Sequence, residues 1–169
     1  MEIKDLYREI VNEHNLHPTH KKDLPGATIV LNGINPSCGD DINLQMKVED
    51  NVITDAAFNG SGCAISQASA DMMIDLIIGR NVQDAMRFAQ QFMGMIKGTA
   101  SRDEIEELEE AAALEDISHM PARVKCATLA WRTMKEEIEE LQRRGVTDGD
   151  VSAAGSDACG AGSCGTDEA

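Results

Sequence analysis

In TIVLNGINPSCGDDINLQMKVEDNVITDAAFNGSGC, residues 28–63, apolar and β-branched residues fall in three short runs interrupted by turn formers. Thr28 to Ile34, Ile42 to Val48 and Val52 to Phe58 read as strands, divided by the Pro36 to Asp41 loop and the Glu49-Asp50-Asn51 turn. Connections this short favour an antiparallel meander. Past Gly62 the period lengthens, with Ile65, Ala68, Met72 and Leu76 at helical spacing up to Gly79. Asn81 is placed to cap a second helix running to Gly98. Ahead of the sheet, Ile3, Leu6, Tyr7, Ile10 and Val11 make one face of a helix over residues 2–14.

Pro121 suits a first helical turn, and Val124, Ala127, Trp131, Met134, Ile138 and Leu141 form an apolar stripe ending before Gly145. Between these helices, Ser101 and Glu104 form a capping-box pattern at the head of an acidic stretch expected to be an exposed helix. The fold class expected is α+β, a three-stranded antiparallel sheet packed against several helices. One domain over residues 1–145 carries the acidic helical insertion at about 99–118. Residues 146–169 are Gly, Ser, Ala and Asp with almost nothing to bury, and are expected to be a disordered tail.

The formal charge of −15 is unevenly spread. Asp103 to Asp116 holds eight acids and no base, and the tail beyond Gly145 holds five more. The rest of the chain has 17 acids against 15 bases and is nearly neutral. No clustered basic surface exists to bind phosphates, so a nucleic-acid partner is not expected, and a basic patch on a partner protein is. No targeting or membrane-spanning pattern is visible, so the expected location is the cytoplasm. In such a reducing compartment five cysteines read as metal ligands or reactive thiols, not a disulfide framework.

Three of those cysteines share informative surroundings with one aspartate. Cys38 and Asp40, two apart in the Pro36 to Asp41 loop that Pro36 and Gly39 maintain, can both reach one ion. Cys63 stands where a helix begins, so unpaired N–H groups favour its thiolate. Cys126 follows Lys125 and lies one turn after Arg123, cations expected to lower its pKa. Three thiolates and a carboxylate suit a tetrahedral Zn2+, with the carboxylate the most exchangeable ligand. Buried cysteines that merely fill space are the plain alternative.

Asn35-Pro36-Ser37-Cys38-Gly39-Asp40, Gly60-Ser61-Gly62-Cys63-Ala64-Ile65-Ser66 and Pro121-Ala122-Arg123-Val124-Lys125-Cys126-Ala127-Thr128-Leu129-Ala130-Trp131 resemble the motifs of the U-type iron-sulfur cluster assembly family, in its SufU-type sulfurtransferase branch. The resemblance spans roughly residues 3 to 142 and implies a SufE/NifU-like fold. It implies that Cys38, Asp40, Cys63 and Cys126 hold zinc, and that Cys38 accepts persulfide sulfur from a pyridoxal-phosphate cysteine desulfurase of the SufS type. A partner histidine would take the place of Cys38 on the metal, and the sulfur would pass to a downstream iron-sulfur assembly scaffold. Arg123 matches a basic position that would steer the persulfide or hold the partner. The alternative is a scaffold on which a nascent cluster is built, with iron or a transient iron-sulfur cluster in the site. Two departures from the scaffold branch weigh against it: Lys125 stands where that branch has a histidine, and the acidic insertion is absent there.

Other residues fit less readily. His14, His17 and His20 surround Pro18 and are expected as exposed loop histidines. His119 is a candidate reserve ligand near Cys126, and Cys159 and Cys164 are a candidate thiol pair in the tail.

Overall fold

The structure, a computed structural model, describes residues 2–145; the expected disordered tail with Cys159 and Cys164 lies outside the described residues. Strands β1 (Ile29–Asn35), β2 (Asp40–Glu49) and β3 (Val52–Ser61) form an antiparallel sheet in that order. This is the expected meander, with β2 and β3 longer than the apolar runs alone suggest. Asn35 pairs with Asp40 and Asp41 with Ser61, so the loop holding Cys38 and the strand end leading to Cys63 meet at one end of the sheet. At the other end Asp50 and Asn51 both take positive φ, 51° and 66°, the two-residue turn whose twist matches its strands.

Pleating sends Asp40, Ile42, Leu44, Met46 and Val48 to one face of β2, all buried. The four apolar side chains fix the register, and the same alternation puts one carboxylate, Asp40, on the core side. Helices α2 (Ala64–Ile77) and α5 (Pro121–Arg144) pack against the sheet, and α1 (Ile3–Leu16), α3 (Val82–Lys97) and the short α4 (Arg102–Glu106) pack against other helices. Asn81 caps α3 by accepting the Asp84 N–H at 2.8 Å, and α3 and α5 end on left-handed Gly98 and Gly145. Central α2 packs against α1, α5 and β3.

Trp131 of α5 is fully buried, stacks on Phe92 at 4.3 Å between centroids, and donates its indole N–H to Ser69 Oγ at 2.9 Å. Ser69 in turn donates to the Ala127 carbonyl at 2.6 Å, so no polar group of this contact is left unpaired. Burying such a ring contributes about 5 kcal/mol before conformational entropy is subtracted.

The acidic stretch corrects its expectation. It is not one exposed helix but α4 followed, after left-handed Glu109, by a 3-10 helix over Glu109–His119. Ile105, Leu108, Ala111, Leu114 and Ile117 are all buried, one every third residue. Within the 3-10 helix, three residues per turn keep Ala111, Leu114 and Ile117 in line, whereas 3.6 per turn would rotate them off the core. Acids occupy the outward positions.

A close seam joins α5 to β1. Gly33 faces α5, and a Cβ there would collide with Thr133 Oγ1. Among the described residues no helix is long and apolar enough to cross a membrane.

Candidate metal centre

The site forms where β1 turns into β2, where β3 gives way to α2, and where α5 begins. Cys38 lies in the β1–β2 loop, its N–H on the Asn35 carbonyl at 3.3 Å, and is half-buried. Cys126, in the second turn of α5, is buried, and its Sγ lies 2.9 Å from Cys38 Sγ. Asp40 completes a group of three whose ligand atoms all lie within 4.8 Å of one another. Cys63 is half-buried and caps α2, its Sγ accepting the Ser66 N–H at 3.4 Å. Its sulfur stands outside that mutual group but close enough to Cys126 to influence the ionisation of that thiol.

Asp40 is held as an anion. Its Oδ1 accepts the Cys63 N–H at 2.9 Å and the Ser66 hydroxyl at 3.0 Å, and its Oδ2 accepts the Asn35 amide at 3.2 Å. Burial pushes its pKa up, but these donors outweigh burial and hold it below the usual carboxylate range. Gly62 closes the cradle, since a Cβ there would meet Ser66 Oγ and sit 3.1 Å from Asp40 Oδ1. Asn35 and Ser66 escaped the sequence reading, although both were quoted in the motifs. The signal was the spacing Cys63 to Ser66, a cap and the third residue of the helix behind it.

For Cys126 the expectation of a lowered pKa is overturned. Burial raises it well above the usual thiol range, and the neighbouring Cys38, Cys63 and Asp40 raise it further. Arg123 and Lys125 are exposed on α5, where water screens them from the buried sulfur. A crowd of thiols and one carboxylate without a positive group among them is the donor chemistry that a divalent soft or borderline cation satisfies, because binding ionises all the sulfurs at once. These residues therefore fit zinc.

The remaining candidates lie elsewhere. His119 is exposed and lines a cleft of about 500 Å³ with residues of α1 and the 3-10 helix. Among the amino-terminal histidines only His17 is exposed as expected. His14 sits in the last turn of α1, buried, with Nδ1 2.7 Å from Asp71 and Nε2 2.7 Å from Glu110. Its partners are 57 and 96 residues away, so no local pattern revealed them.

Comparison with known proteins adds an independent line. The family described as NifU-like N terminal domain matches residues 6–127. A relative from Thermotoga maritima named iron-sulfur cluster assembly scaffold protein IscU is 40% identical over 143 residues, covering 85% of this chain and 99% of its own. The zinc-dependent sulfurtransferase SufU of Bacillus subtilis is 39% identical over 136 residues, covering 80% and 91%. A solved structure from Fervidobacterium islandicum, described as a scaffold protein for iron-sulfur cluster assembly in the SUF system, superposes with TM-score 0.72 at 30% identity, covering 77% of this chain and 94% of that one.

Proposed function

The chain belongs to the NifU-like N-terminal domain family of iron-sulfur cluster assembly, and from that premise we propose that it is a zinc-dependent sulfur acceptor and carrier. It takes persulfide sulfur from a pyridoxal-phosphate cysteine desulfurase and passes it to a downstream assembly scaffold. The observation that carries this reading is the meeting of the half-buried Cys38 sulfur with buried Cys126 beside an anionic Asp40. Cys38 is half-buried and can meet a reactant, Cys126 stays inside, and half-buried Cys63 is tied to the Ser66 N–H at the head of α2.

Cys38, Cys63, Cys126 and Asp40 would hold Zn2+, which supplies a positive charge that keeps the sulfurs ionised without redox chemistry of its own. Cys38 is the acceptor. Its thiolate attacks the outer sulfur of the partner's persulfide, the partner's cysteine thiolate leaves, and the sulfane sulfur ends on Cys38 with no net oxidation. Against the expectation that the carboxylate is the most exchangeable ligand, Asp40, fixed by Cys63, Ser66 and Asn35, would keep its place while Cys38 moves, because its three hydrogen bonds do not involve Cys38. Arg123, exposed one turn before Cys126, holds the incoming persulfide anion or the partner's acidic surface.

A scaffold for a nascent cluster is the second reading, favoured by the name of the Thermotoga relative. Lys125 weighs against it, since a protonated ammonium offers no ligand beside Cys126.

Incubation with a cysteine desulfurase and cysteine, followed by mass spectrometry, tests the carrier reading. Cys38 is expected to gain one sulfur, about 32 Da, a reversible thiol modification. Full stimulation of the desulfurase by Cys38→Ala with its fold intact would overturn the reading. A stable stoichiometric cluster after anaerobic reconstitution, formed in preference to zinc, would replace it with the scaffold.

A further inference from the structure

A second polar cluster, built without sulfur, lies between α1, α2 and the 3-10 helix. We propose that the cleft holding His14, Asp75 and Glu110 is a divalent-cation site of the nitrogen and oxygen class, distinct from the cysteine centre and independent of the sulfur-carrier reading. His14 Nε2 and the carboxylates of Asp75 and Glu110 are the ligands, and Asp71 and His20 position them.

The ligand atoms of these three residues already lie within 4.8 Å of one another. An ion about 2.1 Å from each would bring them about 3–4 Å apart. Glu110 and Asp75 have half-exposed side chains, free to make that small adjustment, while His14 is fixed.

Its fixing is the feature an ordinary surface ion pair lacks. His14 Nδ1 lies 2.7 Å from Oδ2 of fully buried Asp71, and the other oxygen of Asp71 accepts the His20 backbone N–H at 2.8 Å. Asp71 is therefore locked from both sides and sets the ring so that Nε2 points toward Glu110 in the cleft. A ring nitrogen bonded to a carboxylate behind, with the second nitrogen facing a cluster of carboxylates in front, is how metal-binding histidines are held. Asp75 is steadied in the same way by His20 Nε2 at 2.6 Å.

Charge supplies the second argument. The cleft, about 480 Å³, is lined by Glu9, Glu13, Asp75 and Glu110 with His14 and His17, and among the described residues neither a lysine nor an arginine lines its walls. With Asp71 behind, five carboxylates gather where no side chain brings a permanent positive charge. A proton shared between Nε2 and Glu110 ties those two together, while Glu13 and Asp75 face only the imidazoles of His17 and His20, and Glu9 pairs with no cation among the described residues. A divalent cation replaces that proton and balances more of them. One imidazole with carboxylates and no thiolate selects ions such as Mn2+ and Fe2+, whereas the sulfurs of Cys38, Cys63 and Cys126 select softer ones.

The test uses the full chain carrying one equivalent of zinc, titrated with Mn2+ and followed by loss of the free-ion paramagnetic resonance signal. One further Mn2+ per chain is expected. Glu110→Gln, an isosteric change at an exposed position, is expected to weaken it about tenfold or more, and His14→Gln likewise. Glu49→Gln, outside the cleft, is expected to leave it unchanged. Absence of Mn2+ uptake, uptake indifferent to Glu110→Gln, or uptake weakened equally by Glu49→Gln would each overturn the proposal.

Discussion

Two carboxyl groups, Asp40 and Glu137, are both wholly buried at opposite ends of the seam between β1 and α5, and their acidities move in opposite directions. Along this seam Asn35 meets Cys126, with its amide 3.6 Å from the sulfur, Gly33 meets Thr133, and the Leu31 backbone faces Glu137. Asp40 at the first end has three hydrogen-bond donors and stays ionised. Among the described residues neither oxygen of Glu137 at the other end accepts a well-aligned hydrogen bond; burial raises its pKa well above the carboxylate range, and the neighbouring Leu31 backbone lowers it by less. Burial alone therefore does not decide whether a carboxyl is an anion. The donors built around it do, and only the Asp40 end has been equipped with them.

The largest effect should come from emptying the equipped end. Asp40→Ala leaves the Cys63 N–H, the Ser66 hydroxyl and the Asn35 amide facing an apolar gap, at a cost of about 3 kcal/mol in chelator-treated protein. Urea unfolding reads it, and an unchanged midpoint would break the contrast.

A change of opposite sign is expected at the bare end. The folded chain keeps a proton on Glu137 that the unfolded chain releases above about pH 4.3, so its contribution to stability falls as pH climbs from there toward the raised value. Glu137→Met, similar in volume and free of unpaired oxygens, should stabilise the protein by about 2 kcal/mol at pH 8 and by less at pH 5. Unfolding midpoints at the two pH values check the sign, and a gain larger at pH 5 would refute it.

The smallest effect sharpens the comparison. Ser66→Ala removes one of the three donors to Asp40 and should cost about 1 kcal/mol, with the α2 cap at Cys63 preserved. Unfolding of this variant, compared with Asp40→Ala, measures how much of the anion's stability comes from a single hydroxyl.

Much of this was readable in advance because it was local. Strand alternation placed the meander, Asn81, Gly98 and Gly145 bounded their helices, and three short motifs picked out the thiols and Asp40. Long-range pairing was invisible. His14 reads as an exposed loop residue until folding brings Asp71 and Glu110 to it, and Glu137, outside the apolar stripe expected on α5, is buried as well. The Cys126 error had the same source, since Lys125 and Arg123 adjoin it in sequence while Cys38 and Cys63 adjoin it in space.

The row from Ile105 to Ile117 also constrains how this segment can vary in length. Each residue of its 3-10 portion advances the side chain by about a third of a turn. Adding or removing one residue there would swing an acid inward and an anchor out to water for the remainder of the segment. Gains and losses should therefore be tolerated in triplets, giving this stretch of backbone something like a reading frame.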